Sequence, residues 1–121
     1  MVFEVELSEE SEIDLKQIFD HLVQSYTQLG EPLEDAFDQA SERIRRIRSD
    51  IFGLGKAPYQ GTLSKEIGDG LRHVTKNRAV IYFDVYEARR VVQVIAVFFG
   101  GQDHQRHMLK RIDVRTRSGG A

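Results

Sequence analysis

Three runs decide the fold: Leu71-Arg72-His73-Val74-Thr75, Ala79-Val80-Ile81-Tyr82-Phe83-Asp84-Val85-Tyr86 and Val91-Val92-Gln93-Val94-Ile95-Ala96-Val97-Phe98-Phe99. Each is rich in Val, Ile, Tyr or Phe, and the short polar links Lys76-Asn77-Arg78 and Glu87-Ala88-Arg89-Arg90 separate them. That pattern predicts an antiparallel three-stranded meander. The last run is apolar at both parities, with Val92, Val94, Ala96 and Phe98 against Val91, Ile95, Val97 and Phe99, and only Gln93 interrupts it. A strand with one solvated face alternates apolar and polar residues. Both faces of this sheet therefore need cover, and Ala79–Tyr86 repeats the demand. The cover comes from a C-terminal helix, from another chain, or from both.

Upstream, Val2-Phe3-Glu4-Val5-Glu6-Leu7 alternates with a period near two and reads as a further strand of the same sheet. Ser11 to Asp14 has capping-box spacing and predicts a helix start. Leu15, Ile18, Phe19, Leu22, Tyr26 and Leu29 then form one helical stripe, closed by Gly30. Pro32 suits the first turn of a second helix, with a stripe at Leu33, Ala36, Phe37, Ala40, Ile44, Ile47 and Ile51. Only Glu31 lies between Gly30 and Pro32, so the two helices form an antiparallel hairpin. A glycine-punctuated loop of about fifteen residues precedes the meander, a length that tends to be functional or mobile. Downstream, Gly100 and Gly101 break the sheet, Asp103 caps a last helix reaching about Ile112, and residues 114–121 read as a flexible tail. The expectation is one α+β domain over residues 1–113. It has two layers, with an antiparallel sheet of the N-terminal strand plus the meander, covered by the helical hairpin and followed by a short C-terminal helix.

Composition narrows the function. The 121 residues include no cysteine, which excludes a disulfide scaffold, a thiolate metal site and a cysteine nucleophile. The longest apolar run, Val94–Phe99, is too short to span a bilayer, and no basic segment precedes an apolar stretch at the start. A cytoplasmic location is the expectation. The net charge of −2 hides an asymmetry: residues 1–42 hold twelve acids and one base (Lys16), whereas residues 43–121 hold sixteen bases and seven acids. Either the second part faces an anionic partner, or the two parts pack together and neutralise each other.

Asp14-Leu15-x-x-Ile18, Ala40-x-x-x-Ile44-x-x-Ile47, Pro58-x-x-Gly61, Gly70-Leu71-Arg72, Ala79-Val80-Ile81-Tyr82-Phe83 and Val94-Ile95-Ala96-Val97-Phe98-Phe99-Gly100 follow one another in this order. In order and spacing the chain resembles the toxins of the RelE/ParE superfamily of bacterial toxin–antitoxin systems, over nearly its whole length. The resemblance implies a toxin wrapped and silenced by a cognate antitoxin, with operator DNA reached only through that antitoxin. It implies either a ParE-like poison of DNA gyrase that does no chemistry or a RelE-like ribosome-dependent endonuclease of messenger RNA. A degenerate toxin kept as a binding module is a third form. No cofactor and no metal is implied.

Cutting RNA without a metal requires a base, an acid and fixed cations about the transition state. By the resemblance, Arg72 matches the family's sheet arginine, as a phosphate contact or as a structural partner of an acid in the first helix. Where RelE-like nucleases carry basic and aromatic groups after the last strand, this chain has Gly100, Gly101, Gln102 and Asp103. That departure favours the ParE-like branch. His104, Arg106 and His107 lie just beyond, and His104 and His107 share a helix face at i, i+3, as acid and base or as solvated groups. Asp103, His104 and His107 lack the spacing of a metal site. Tyr82 is expected in the core under the helices, while His73 points away from Arg72 and His21 lies off its helix stripe, neither with an assigned role. Antitoxin contacts are expected at Val92, Val94, Ala96 and Phe98, on the uncovered sheet face, and at Arg43 and Arg46 of the hairpin. Target contacts are expected at Arg72, Arg106, Lys110 and Arg111.

Overall fold

The computed structural model describes residues 2–100 and 103–119. In chain order the elements are β1 (Glu4–Leu7), α1 (Glu9–Gln28), α2 (Leu33–Phe52), a 3-10 turn (Gly53–Lys56), β2 (Thr62–Leu63), β3 (Arg72–Lys76), β4 (Ala79–Tyr86), β5 (Val91–Phe99) and α3 (His104–Gly119). They form one five-stranded sheet in the order β1-β5-β4-β3-β2, with β1 parallel to β5 and the other pairs antiparallel. The α+β architecture, the meander and the hairpin are as the sequence predicts. The fifth strand, β2, is an addition: two residues inside the long loop are too few to show a period. Gly61 holds that strand in place, because its φ of +83° is left-handed and a Cβ there would sit 2.3 Å from the His73 carbonyl oxygen.

α1 starts earlier than Ser11. The N-cap is Ser8, whose hydroxyl accepts the Ser11 N–H at 3.1 Å, while Ser11 Oγ donates back to the Ser8 carbonyl. Asp14 is thereby released from any capping duty. At the other end Gly30, at φ +99°, donates to Thr27 O and Glu31 donates to Tyr26 O, a Schellman closure that turns the chain into α2. The hairpin lays Leu15, Ile18, Leu22, Ala40, Ile47 and Ile51 on one face of the sheet, against Ile81, Phe83, Val92, Val94 and Val97.

β5 carries a bulge that the sequence pattern conceals. Tyr82 pairs with Ala96 and Phe83 with Val94, so Ile95 is an extra residue without a partner opposite. The alternation changes phase there. Val92 and Val94 face the hairpin together with Val97, whereas Ile95, Ala96 and Phe98 face the other side. The expected single face of Val92, Val94, Ala96 and Phe98 is therefore corrected to two half-faces on opposite sides.

The second face is also covered within the chain. Ile67 and Leu71 of the loop and Met108 of α3 close over Val80, Tyr82, Ile95, Ala96 and Phe98. α3 runs on to Gly119, past the end expected near Ile112. Asp103 caps it as expected, its carboxylate accepting the Arg106 N–H at 3.3 Å. Gly101 and Gln102, singled out in the sequence, lie outside the described residues.

Candidate functional site

A small cluster of polar side chains lies on the α3 side of the sheet. His73 on β3 and Tyr82 on β4 are cross-strand partners, so both side chains rise from the same face. The Tyr82 ring is fully buried there, beneath α3 rather than beneath the hairpin as expected. Its hydroxyl meets His104 Nδ1 at 2.7 Å, at the first residue of α3. Beside it, Ser64 Oγ lies 2.6 Å from His73 Nδ1. Ser64 is 1% exposed and its backbone is held on both sides, accepting from Ile67 and Gly68 and donating to Leu71 O. The imidazoles of His73 and His104 lie 5.6 Å apart, centre to centre.

Burial governs the protonation of this cluster. It pushes the Tyr82 phenol up to about 12, helped by the negative charges of Glu66 and Asp103. The same burial, with His104 alongside, holds His73 below the ordinary histidine value, and Glu66 opposes the shift. His73 is thus neutral at pH 7. Nδ1 of each ring faces a hydroxyl, and which ring nitrogen carries the proton follows from which of the two partners donates. Ser64 and His73 were missed in the sequence because their partners come from separate segments. The signal available was the parity of His73 relative to Tyr82.

Arg72 does not join this cluster. It pairs across with Phe83, a residue of the hairpin-side core, so its side chain leaves the opposite face. There it donates to Tyr59 O at 2.8 Å and lies over the Tyr59 ring, with no acid of α1 as partner. The acids of α1 take other arginines: Glu12 binds Arg48 through both oxygens, at 2.7 and 3.1 Å, and Asp14 binds Arg111. The Arg48 hydrogen bonds hold the Glu12 carboxyl below its usual value. Of the four residues Arg72, His104, Arg106 and His107, Arg72 thus stands on the opposite sheet face from the other three, which belong to α3.

Of the α3 residues, His104 and His107 both turn toward the sheet but meet different partners. The His107 ring stacks on Phe98, 5.9 Å between centres, although His107, like Arg106 and Lys110, is exposed. Arg111 is not free for a target. Its guanidinium forks onto Asp14 at 2.7 and 2.9 Å, and Asp14, 6% exposed, also accepts the Val97 backbone N–H at 2.9 Å. On the hairpin, Arg46 pairs with Glu42 at 3.6 Å and Arg45 with the same carboxylate. Arg43 instead reaches the sheet, donating to Asn77 O at 3.2 Å and lying over Phe99. Val92, Val94 and Ala96 are fully buried and Phe98 nearly so, which leaves none of the four as open surface. Among the described residues no three His, Asp or Glu side chains gather as a metal site, and no helix is long and apolar enough to cross a membrane.

No protein-family model matches the chain, and no curated protein matches it in sequence. Solved structures do. A chain of the chromosomal ParDE system of P. aeruginosa aligns with a TM-score of 0.61 at 18% identity, over 81% of this chain and 96% of that one. A chain of the toxin–antitoxin complex RelBE2 of Mycobacterium tuberculosis aligns with a TM-score of 0.59 at 12% identity, covering 84% and 95%. The intact RelBE toxin–antitoxin complex of E. coli supplies a third, with a TM-score of 0.53 at 10% identity, covering 83% and 99%. At such identities the likeness is one of fold, and it spans nearly all of each matched chain.

Proposed function

We propose that this chain is a RelE/ParE-type toxin of a type II toxin–antitoxin pair, neutralised by a cognate antitoxin and acting as a ParE-like inhibitor that binds DNA gyrase. The observation that carries the toxin reading is the fold, matched almost end to end in RelBE and ParDE complexes. Binding rather than cutting is favoured by where the cations lie. Arg111 is spent on Asp14, and Arg72 is held by Tyr59 on the far face from the imidazoles. Arg106 and Lys110 remain as an exposed basic edge of α3, suited to an acidic surface on the target. The test is a supercoiling assay with purified gyrase and relaxed plasmid, beside induction of the chain alone in bacteria. Blocked supercoiling and filamentous cells with intact transcripts are expected. Cleaved ribosome-bound messages with unaffected gyrase overturn the reading.

A RelE-like endonuclease is the second reading, and the His73–His104 pair favours it. With its ring proton on Nδ1 and donated to Ser64 Oγ, His73 would take the 2′-hydroxyl proton at Nε2 as that oxygen attacks the adjacent phosphorus. His104, whose ring lies 5.6 Å from that of His73, would supply the proton to the departing 5′-oxygen, leaving a 2′,3′-cyclic phosphate and a 5′-hydroxyl. Among the described residues Arg72 leaves the opposite face and Arg111 is forked onto Asp14, so neither is placed to stabilise the transition-state charge, which ranks this reading second. The variant His73→Gln/His104→Gln separates the two: it abolishes toxicity only if the chain cuts RNA.

A further inference from the structure

Two exposed helix faces of this chain carry the same pattern with opposite charge. At the start of α2, Glu34 and Asp38 are exposed, stand one turn apart at i and i+4, and form no ion pair among the described residues. Arg45 and Arg46, the next exposed bases of that helix, are taken by Glu42. Beside the two acids lie Leu33 and Phe37, 66% and 52% exposed. Phe37 is held in place by an edge-to-face contact with Phe19 of α1, 5.0 Å between ring centres.

The outer face of α3 is the counterpart. Arg106 and Lys110 are exposed, again at i and i+4, and form no ion pair among the described residues. Leu109 lies beside them, 47% exposed. The inner face of the helix is occupied by His104 on Tyr82, Met108 in the apolar cluster and Arg111 on Asp14. Asp113, the acid that follows on the outer side, stands three residues beyond Lys110.

Spacing matches the two faces as well as charge does. Positions i and i+4 are roughly 6 Å apart along either axis, so two carboxylates and two cations come into step. At about 100° per residue, the apolar row also lies on the same rotational side of the charged row in both helices. Leu33 and Phe37 precede Glu34 and Asp38, and Leu109 precedes Lys110. Helices that share this sense bring charge to charge and apolar to apolar when they cross antiparallel. Within one copy both faces are exposed, so the match is met only by a second copy.

We propose that α2 of one copy packs antiparallel on α3 of a second copy, with Glu34 and Asp38 against Arg106 and Lys110 and Phe37 against Leu109. Complementary charge selects this pairing over two acidic faces or two basic faces meeting. The contact covers the basic edge assigned above to the target, so association withdraws the chain from action as its concentration rises. That consequence rests on the proposed function, whereas the contact itself does not.

The experiment is sedimentation velocity of the full chain across roughly 10 µM to 1 mM, the range of weak association. The mass should rise above the 13.9 kDa of one copy, whether the contact closes as a reciprocal pair or grows as a ring or chain. Raising salt from about 0.05 to 0.5 M should weaken association about tenfold. Glu34→Lys/Asp38→Lys and Arg106→Glu/Lys110→Glu should each stay single, and a mixture of the two should associate, because every reversed row then has a partner. Glu4→Lys/Glu9→Lys, which alters the net charge as much as the first pair, should leave association unchanged. The neutral pair Glu34→Gln/Asp38→Asn should weaken it about fivefold and keeps the test intact if a reversal unfolds the chain. One copy at every concentration, association indifferent to salt and to the reversals, or two folded variants that fail to associate on mixing overturns the proposal. Gyrase supercoiling is scored separately with dilute chain: inhibition by a chain that never associates sinks the contact alone, and association without inhibition sinks the gyrase reading alone.

Discussion

Replacing Arg111 by Met should be among the most damaging single changes outside the apolar core. The guanidinium supplies two of the three donors seen at Asp14, and the third is the Val97 N–H. Arg111→Met keeps the side-chain volume but leaves a carboxylate that is 6% exposed with one donor. Breaking a buried ion pair from one side costs about 3–5 kcal/mol. Because the Arg111 side chain is 23% exposed, water reaches the gap, and about 3 kcal/mol is the expected loss. Asp14→Leu should cost less, about 2 kcal/mol: the guanidinium rehydrates and the orphaned Val97 N–H is the main penalty. Removing both charges, in Asp14→Leu/Arg111→Met, should cost only about 1–2 kcal/mol, since no charge is left buried.

The assay is urea unfolding of the four proteins followed by circular dichroism. With a slope of roughly 1.5 kcal/mol per molar, the Arg111→Met midpoint should fall by about 2 M. The double variant should be more stable than Arg111→Met, giving a coupling of at least about 1.5 kcal/mol. A midpoint shift below roughly 0.3 M for Arg111→Met, or costs that simply add, would refute the claim that this pair ties α3 to α1 and the sheet.

His73 is held neutral in the folded chain, so its contribution is fully present above the unfolded histidine value near 6.5 and is lost as pH falls through the lower folded value. The melting temperature should therefore drop between pH 7.5 and 5.5, and His73→Gln should flatten that part of the profile. In an alkaline titration followed at 295 nm, the Tyr82 phenol should ionise near pH 12, and Tyr82→Phe should remove that late step. Met108, with no exposed surface, should cost about 2–4 kcal/mol when replaced by Ala, read from the same urea curves. Ending the chain after Gly100 removes Met108 and uncovers Tyr82, Ile95 and Phe98, so binding of a hydrophobic dye should rise and solubility should fall.

The fold was legible because its signals are local. Alternation in residues 2–7, the stripes of α1 and α2, and the lengths of the polar links all follow from neighbours a few residues apart. The demand for cover on both sheet faces was legible too, from the double parity of β5. Which residues lay on which face was not. A bulge adds one unpaired residue, and nothing in Val94-Ile95-Ala96 marks Ile95 as that residue. The phase change at Ile95 splits the expected contact face. On β3 the regular parity does hold, and it separates Arg72 from His104. The site was illegible for a related reason: Ser64, His73, Tyr82 and His104 come from a loop, two strands and a helix, and only the assembled sheet makes them neighbours.

The charge asymmetry of the chain resolves in the same way. Arg45 and Arg46 on Glu42, Arg48 on Glu12, Arg89 on Glu6 and Arg111 on Asp14 each join a base of the second part to an acid of the first. Neutralisation within the chain is thus real, and it consumes bases that the sequence offered to a partner, Arg46 and Arg111 among them. Among the bases that it does not reach are Arg43 and Arg78, which both lie over Phe99, and the exposed Arg106 and Lys110 of α3. An anionic partner is attracted by the positive charge left unpaired rather than by the total. These two groups lie on different elements, so the chain has room to meet an inhibitor on one and a target on the other. If so, charge reversal at Arg43 and Arg78 should release toxicity from the antitoxin, and charge reversal at Arg106 and Lys110 should abolish toxicity while antitoxin binding persists. Growth assays with and without co-expressed antitoxin read both effects, and a single pair of substitutions that abolished both would show the surfaces to be one.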